Sequence, residues 1–222
     1  MKTALVIGAT GLVGTQLVQQ LLTDERFGKV TVFGRRSLGI ANPKLEEHLI
    51  DFDKPELWQH LVKGDVFFST LGTTLKQAGG QNEQYKVDYH YQYKFAEAAA
   101  KNGVPAYVLV SSSGANKDSM IFYSRMKGTL EENVKKLDFQ SISIIQPGLL
   151  HGDRKESRTG EEVAYKVMHF LDKVGIAGKY KPYEDKVVAK AMINAGIAAR
   201  PGVHTYTLGN IFKLAEREHL SR

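Results

Sequence analysis

The sequence opens with a continuous apolar run, Ala4-Leu5-Val6-Ile7, that stops on a glycine. A run of this kind reads as a strand buried on both faces. Gly8-Ala9-Thr10-Gly11-Leu12-Val13-Gly14 follows, and a helical pattern then places Leu12, Val13, Leu17, Leu21 and Leu22 on one side. Strand, glycine turn and helix are the opening unit of a dinucleotide-binding fold. Gly8 allows the sharp turn that a side chain would block. Gly11 lets the backbone approach a pyrophosphate, and Gly14 lets the helix pack tightly on the strand. The helix N-terminus offers N–H groups and a partial positive charge to the phosphates. Gly8, Thr10, Gly11, Leu12, Val13 and Gly14 are therefore the first candidate cofactor contacts. The dehydrogenase fingerprint is G-x-G-x-x-G, whereas the spacing here is G-x-x-G-x-x-G. The strand before it and the helix after it make the motif informative.

Val30-Thr31-Val32-Phe33 reads as the second strand, and Gly34-Arg35-Arg36 leaves it. An NAD enzyme carries an acid near this strand end to bind the ribose 2′-hydroxyl. Two arginines stand here instead, and guanidinium forks match a 2′-phosphate. The expected cofactor is NADP(H), held by Arg35 and Arg36.

His48 to Phe52 reads as a third strand. Asp51 and Phe52 at its end admit two readings, contact with an adenine edge or a cap for a helix over Glu56–Val62. Asp65 to Ser69 is the fourth strand. Leu71, Gly72 and Thr73 follow in a turn at the strand's C-terminal end, where ligands bind in open α/β sheets. Lys76 to Gln81 is polar and Gly-rich and reads as mobile. Glu83 to Asn102 reads as a long helix, stopped by Gly103 and Pro105. Ala106 to Val110 is the fifth strand, ending in Ser111-Ser112-Ser113. A helix begins at Tyr123 and runs to about Leu137, and Ser141 to Ile145 is the sixth strand. Helices are predicted over 160–174, 184–199 and 210–218, and a short strand over 204–208. The expected fold is α/β, a Rossmann-like doubly wound parallel sheet with helices on both faces and a small C-terminal, substrate-side extension. Residues 1–222 read as one domain, with 151–222 supplying a lid and the last elements.

Composition narrows the function. The 222 residues contain no cysteine, which excludes disulfides and thiolate catalysis, and the seven histidines show no ligand spacing, so no metal is expected. The formal charge of +6 comes from scattered Lys and Arg, so an anionic cofactor is favoured over nucleic acid. The glycines interrupt any signal-peptide pattern, and no apolar run approaches the ~18 residues of a membrane span. The expected location is the cytoplasm. A protein partner and the oligomeric state are left open.

Tyr123 and Lys127, four apart, share one face of a helix. An ammonium beside a phenol favours the phenolate, and the phenol can then exchange a proton with a substrate oxygen. The same ammonium can bond the nicotinamide ribose. Ser112 lies just past the neighbouring strand, where its hydroxyl can orient the same oxygen. Hydride transfer belongs to the cofactor.

Gly8-x-x-Gly11-x-x-Gly14 with Tyr123-x-x-x-Lys127 resembles the short-chain dehydrogenase/reductases in their atypical or extended form. Phe33-Gly-Arg-Arg36, Leu71-Gly-Thr-Thr74, Ser111-Ser-Ser-Gly-Ala115, Tyr123-x-x-x-Lys-Gly128 and Pro147-Gly-Leu-Leu150 with Asp153-Arg-x-Glu-x-Arg158 are similar to the Tat-interacting-protein branch. The resemblance spans nearly the whole chain. It implies an NADP(H)-binding Rossmann fold with catalytic Ser112, Tyr123 and Lys127, and no defined substrate. Pro147, Leu149 and Leu150 are expected to lie against the nicotinamide. His151 reads as a loop residue.

The expected function is NADP(H)-dependent oxidation or reduction of an unidentified carbonyl or alcohol. The rivals are an NADP(H)-binding redox sensor without turnover and an epimerase or isomerase that recycles a tightly held NAD. The Tyr–Lys pair argues against the first rival, and the paired arginines against the second.

Overall fold

The computed structural model describes residues 1–148, 150–151 and 183–216. Seven parallel strands form one sheet. Six of them are β1 (Lys2–Ile7), β2 (Phe27–Gly34), β3 (Leu45–Leu49), β4 (Val66–Ser69), β5 (Ala106–Val110) and β6 (Ser141–Gln146). A two-residue pair, β7 (Leu150–His151) with β8 (Tyr183–Glu184), lies apart from the sheet. The seventh strand is β9 (Gly202–Thr207), and the sheet order is β3-β2-β1-β4-β5-β6-β9. The order reverses between β1 and β4, the switch point at which doubly wound folds bind ligands. The fold is Rossmann-like, as the alternation of strands and helices implied.

Alternating strand residues feed two cores. Ala4, Val6, Val66, Phe68 and Val108 face α1 (Leu12–Thr23) and a later helix, Asp185–Ala198. Leu5, Ile7, Phe67, Tyr107 and Leu109 face the opposite helices, which contribute Phe95, Ala99, Leu130 and Val134. Period-two side chains leave both faces apolar, which explains the unbroken hydrophobic runs. Trp58 stacks on Phe95 with ring centroids 4.7 Å apart and closes the second core near β3.

Several elements differ from expectation. β3 ends at Leu49, before Asp51 and Phe52, because the chain turns there. The Asp51 carboxylate accepts the Asp53 N–H at 3.0 Å, and the Asp51 carbonyl accepts the Trp58 indole N–H at 2.9 Å. The helix expected over Glu56–Val62 is a short α2 (Pro55–Trp58) followed by a 3₁₀ turn, Gln59–Leu61. The polar segment after β4 contains the short helix α3 (Leu75–Ala78), capped by Thr74 Oγ1 accepting the Gln77 N–H at 3.1 Å. The long helix is three pieces: α4 (Gln81–Tyr85), a π-helical segment (Lys86–Tyr91) and α5 (Gln92–Lys101). The Tyr123 helix is α6 (Phe122–Val134). The last two helices are α7 (Asp185–Ala198) and α8 (Gly209–Glu216). The helix expected over 160–174, and with it the lid, lies outside the described residues, as does Leu149.

Gly196 on α7 shows how closely the helices sit on the sheet. A Cβ there would fall 2.7 Å from Val66 Cγ1 and 2.9 Å from Phe68 Cζ, and both side chains are fully buried. Overpacking a filled core costs about 1–3 kcal/mol. Gly196→Val should therefore lower the urea midpoint by an amount in that range. A wild-type midpoint would show that α7 packs more loosely than the structure has it.

Candidate functional site

The exits of β1, β4, β5 and β6 form one edge of the sheet. β1 leaves through Gly8, whose φ of +80° lies in the left-handed region that favours glycine. A Cβ on Gly8 would collide with the Thr70–Leu71 backbone, and one on Gly14 would collide with the Gly8 carbonyl. The β1 and β4 exits are laced together, since the Thr70 N–H and Oγ1 both donate to the Ile7 carbonyl at 3.0 and 2.9 Å. These contacts set the first turn of α1 over the end of the sheet. Gly11 occupies its N-cap position with no side-chain hydrogen bond, and the first turn holds no acidic residue. Its leading N–H groups have no intrahelical acceptor by helix geometry. A cradle bounded by bare backbone and an uncapped helix N-terminus fits the pyrophosphate of a dinucleotide. Thr10, Gly11 and Leu12 line this turn, and Val13 is buried beneath it.

At the end of β2, Arg35 and Arg36 are both exposed, and neither has a charged or hydrogen-bonded partner among the described residues. The loop after them is held from β3. Glu47 accepts the Ser37 hydroxyl and the Leu38 N–H, each at 2.6 Å. Asp51 and Phe52 have structural partners. Asp51 adds an ion pair with Lys54 at 3.4 Å to its turn, and buried Phe52 stacks on Tyr91 at 5.1 Å.

On the other side of the edge, the serine turn is tied to the β6 exit. The Ser111 N–H donates to the Ile145 carbonyl at 2.8 Å and the Ser113 N–H to the Pro147 carbonyl at 2.9 Å. Ser112 is partly buried, and its hydroxyl donates to the Ser113 carbonyl at 3.3 Å. Ser111 is buried, with an Oγ that finds no partner among the described residues. An orphaned hydroxyl at this edge makes Ser111 a second candidate beside Ser112. Buried Pro147 begins the loop, and Leu150 packs against the first core.

α6 carries Tyr123 and Lys127 on one face, with the Lys127 ammonium 5.9 Å from the centre of the Tyr123 ring. Their environments are opposite: Tyr123 is 39% exposed and Lys127 only 3%. Room for the helix here comes from Gly128, where a Cβ would collide with the Asn116–Lys117 backbone. Lys127 lies 3.4 Å from Asp88 on the π-helical segment. Burial works against its charge, but Tyr123, Asp88 and Glu131 outweigh that and hold its pKa above the usual lysine value. The carboxylate of Glu131 in turn accepts the Gln146 side-chain amide at 2.9 and 3.0 Å.

Asp88 escaped the sequence reading. Its Oδ2 accepts the Thr73 N–H at 2.7 Å, so one carboxylate joins the turn after β4 to Lys127. Gln84 donates to the Thr73 carbonyl at 3.3 Å. Gln92 donates to the Asp88 carbonyl at 2.7 Å and accepts from Ser69 at 2.7 Å. π-Helical segments inside α-helices often mark functional sites, but they have no simple sequence signature.

The chain belongs to the NAD(P)H-binding family, whose model matches residues 8–170. Within it the chain is an atypical short-chain dehydrogenase/reductase related to the Tat-interacting-protein branch. Protein fmp52-1, mitochondrial, from Aspergillus terreus is 38% identical over 211 residues, covering 91% of this chain and 90% of that protein. Protein HTATIP2 from Rattus norvegicus is 36% identical over 197 residues, covering 87% and 80%. Among solved structures, MoeE5 in complex with UDP-glucuronic acid and NAD superposes with a TM-score of 0.69 at 18% identity, covering 93% of this chain and 76% of that one. That likeness shows the fold. The names of the fungal relatives correct one expectation: they are called mitochondrial, against the cytoplasmic location read from the sequence.

Gly11 and Gly14 differ in the room they leave for a side chain. A Cβ on Gly11 would meet only the Gly8 and Thr70 carbonyl oxygens, at 3.2 and 3.8 Å, whereas one on Gly14 has no room. Gly11→Val should give a near-native circular dichroism spectrum and no measurable NADPH binding by fluorescence titration. Gly14→Val should fail to fold. Undiminished NADPH affinity in Gly11→Val would remove the pyrophosphate from this turn.

Proposed function

We propose that the protein is an NADP(H)-dependent oxidoreductase acting on a carbonyl or alcohol. The observation that carries the proposal is the pairing of an exposed Tyr123 with a buried, charged Lys127 one helical turn away, at the edge formed by the glycine turn. Gly8, Gly11 and Gly14 with the N–H groups of Leu12 and Val13 would hold the pyrophosphate. Arg35 and Arg36 would hold the 2′-phosphate, Leu71, Gly72 and Thr73 the adjoining backbone edge, and Pro147 and Leu150 the nicotinamide side. The bound cofactor supplies the hydride.

The protein supplies the proton and the geometry. Tyr123 Oη gives its proton to the substrate oxygen in reduction and takes it back in oxidation. Lys127 stabilises the phenolate left behind by its fixed positive charge and bonds the ribose. Ser112, or the unpartnered Ser111, donates to the substrate oxygen and orients it. A mitochondrial setting is the reading that the fungal relatives' names favour.

Tyr123→Phe removes the transferable proton and leaves the ring. A positioned acid/base contributes about 10²–10⁴-fold. The variant should bind NADPH as wild type does and lose about that much turnover in an absorbance screen of aldehydes, ketones and quinones. Full turnover in the variant would end the assignment. If no substrate is turned over and only cofactor-contact variants alter a partner's binding, the protein is a sensor.

Cofactor choice is tested separately. Hydrogen bonds to charged groups are worth about 1.5–3 kcal/mol, so losing one should weaken NADPH roughly ten- to a hundredfold. Replacing Arg35 and Arg36 together by Ala should weaken NADPH at least that much and leave NADH nearly unchanged. Equal wild-type affinities for the two would contradict the 2′-phosphate role.

A further inference from the structure

The free edge of the sheet gathers cations that nothing neutralises. A cavity of about 300 Å³ lies between β9 and α8, at the lower end of the range for small-molecule sites. Arg200, His204 and Lys213 line it, and among the described residues no carboxylate does. Arg200 and Lys213 are exposed, and neither has a charged or hydrogen-bonded partner among the described residues. Lys29, Lys86, Lys117, Lys135 and Lys186, by contrast, each sit against a carboxylate. The walls are held in place. Buried Asn194 on α7 donates to the Leu214 and Ala215 carbonyls at 2.9 and 3.3 Å, which fixes α8. His204 Nε2 lies 3.0 Å from the Pro201 carbonyl, which fixes its ring. The backbone is strained on both sides of the cavity. Ala199 and Leu208, at φ +39° and +38°, are the two non-glycine residues with positive φ among the described residues. Ala199 turns the chain from α7 into Arg200, and Leu208 joins β9 to α8. Such conformations disfavour a side chain and concentrate at ligand-binding positions.

We propose that this cavity is a binding site for a phosphate monoester, separate from the cofactor edge. A guanidinium fork and an ammonium without counter-charges match a dianionic phosphate, the fork bidentately. Thr205, Tyr206 and Asn210 also line the cavity, and their hydroxyls and amide supply donors for the remaining phosphoryl oxygens. Val203 and Leu214 offer an apolar wall to the carbon portion of the ester. The site stands apart in space as well. β9 is four strand spacings from β1 in the sheet order, about 19 Å at ~4.8 Å each, so a ligand here does not share the glycine turn. The proposal is independent of the oxidoreductase reading. The same chemistry occurs in a free metabolite and in a phosphatidic acid headgroup, and the test separates the two.

The test uses two probes: calorimetric titration with glycerol 3-phosphate, and co-sedimentation with phosphatidylcholine vesicles containing phosphatidic acid. Wild type should bind at least one of them saturably. Binding of the soluble ester identifies a free ligand, and binding of the vesicles alone identifies a headgroup. Arg200→Gln and Lys213→Gln change exposed side chains, so each variant should keep the wild-type melting temperature. Each removes a charged donor and should weaken binding about tenfold or more. The double variant should bind neither probe. Arg35 and Arg36 replaced together by Ala control for the exposed cations of the cofactor edge, and that variant should bind as wild type does. The proposal is overturned if neither probe binds saturably, if binding survives in the Arg200 and Lys213 double variant, or if it is lost with Arg35 and Arg36 instead.

Discussion

Three pieces of backbone converge at Gly8. The end of β1, the first turn of α1 and the Thr70–Leu71 turn approach so closely that a Cβ on Gly8 or Gly14 would overlap main-chain atoms. The contact sets the angle at which α1 leaves the sheet and therefore where its uncapped N-terminus points. It also joins the β1 and β4 exits, between which the strand order reverses. The site opens at the edge where backbone, lacking side chains, comes nearest to backbone.

From that contact the site builds outward by charge. The glycine turn offers partial positive charge from peptide N–H groups. Arg35 and Arg36 add two exposed guanidinium groups at the end of β2. Lys127 adds a buried ammonium whose charge is favoured by Tyr123, Asp88 and Glu131 against the cost of burial. The exposed cations are screened by solvent, whereas the Lys127–Asp88 pair is not. Removing one partner of such a pair typically costs about 3–5 kcal/mol, because the other charge is left stranded. The buried pair is a structural constraint one helical turn from the exposed Tyr123.

The parts of this design that rest on neighbours in sequence were legible there. The glycine spacing, the β-branched and apolar runs of β1, β2, β4, β5 and β6, and the shared helix face of Tyr123 and Lys127 all follow from local periodicity. Asp51 and Phe52 show the limit of that reasoning. Their pattern continues a strand, but the Trp58 indole bond to the Asp51 carbonyl favours a turn. Asp88 shows it more sharply. It lies within a sequence that reads as an ordinary amphipathic helix, and its partners Thr73 and Lys127 are distant along the chain. The π-helical segment carries it inward to them. The unpartnered Ser111 hydroxyl is equally invisible in a run of three serines.

One edge of the sheet gathers the glycine turn, the Leu71–Thr73 turn and the first two turns of α6, the arrangement proposed above to hold a nicotinamide cofactor. Amide hydrogen exchange with and without saturating NADPH tests this most directly. Slower exchange should appear together over residues 8–14, 71–73 and 123–127, with the far ends of the strands unchanged. Protection limited to 8–14, or found only away from these segments, would contradict the account.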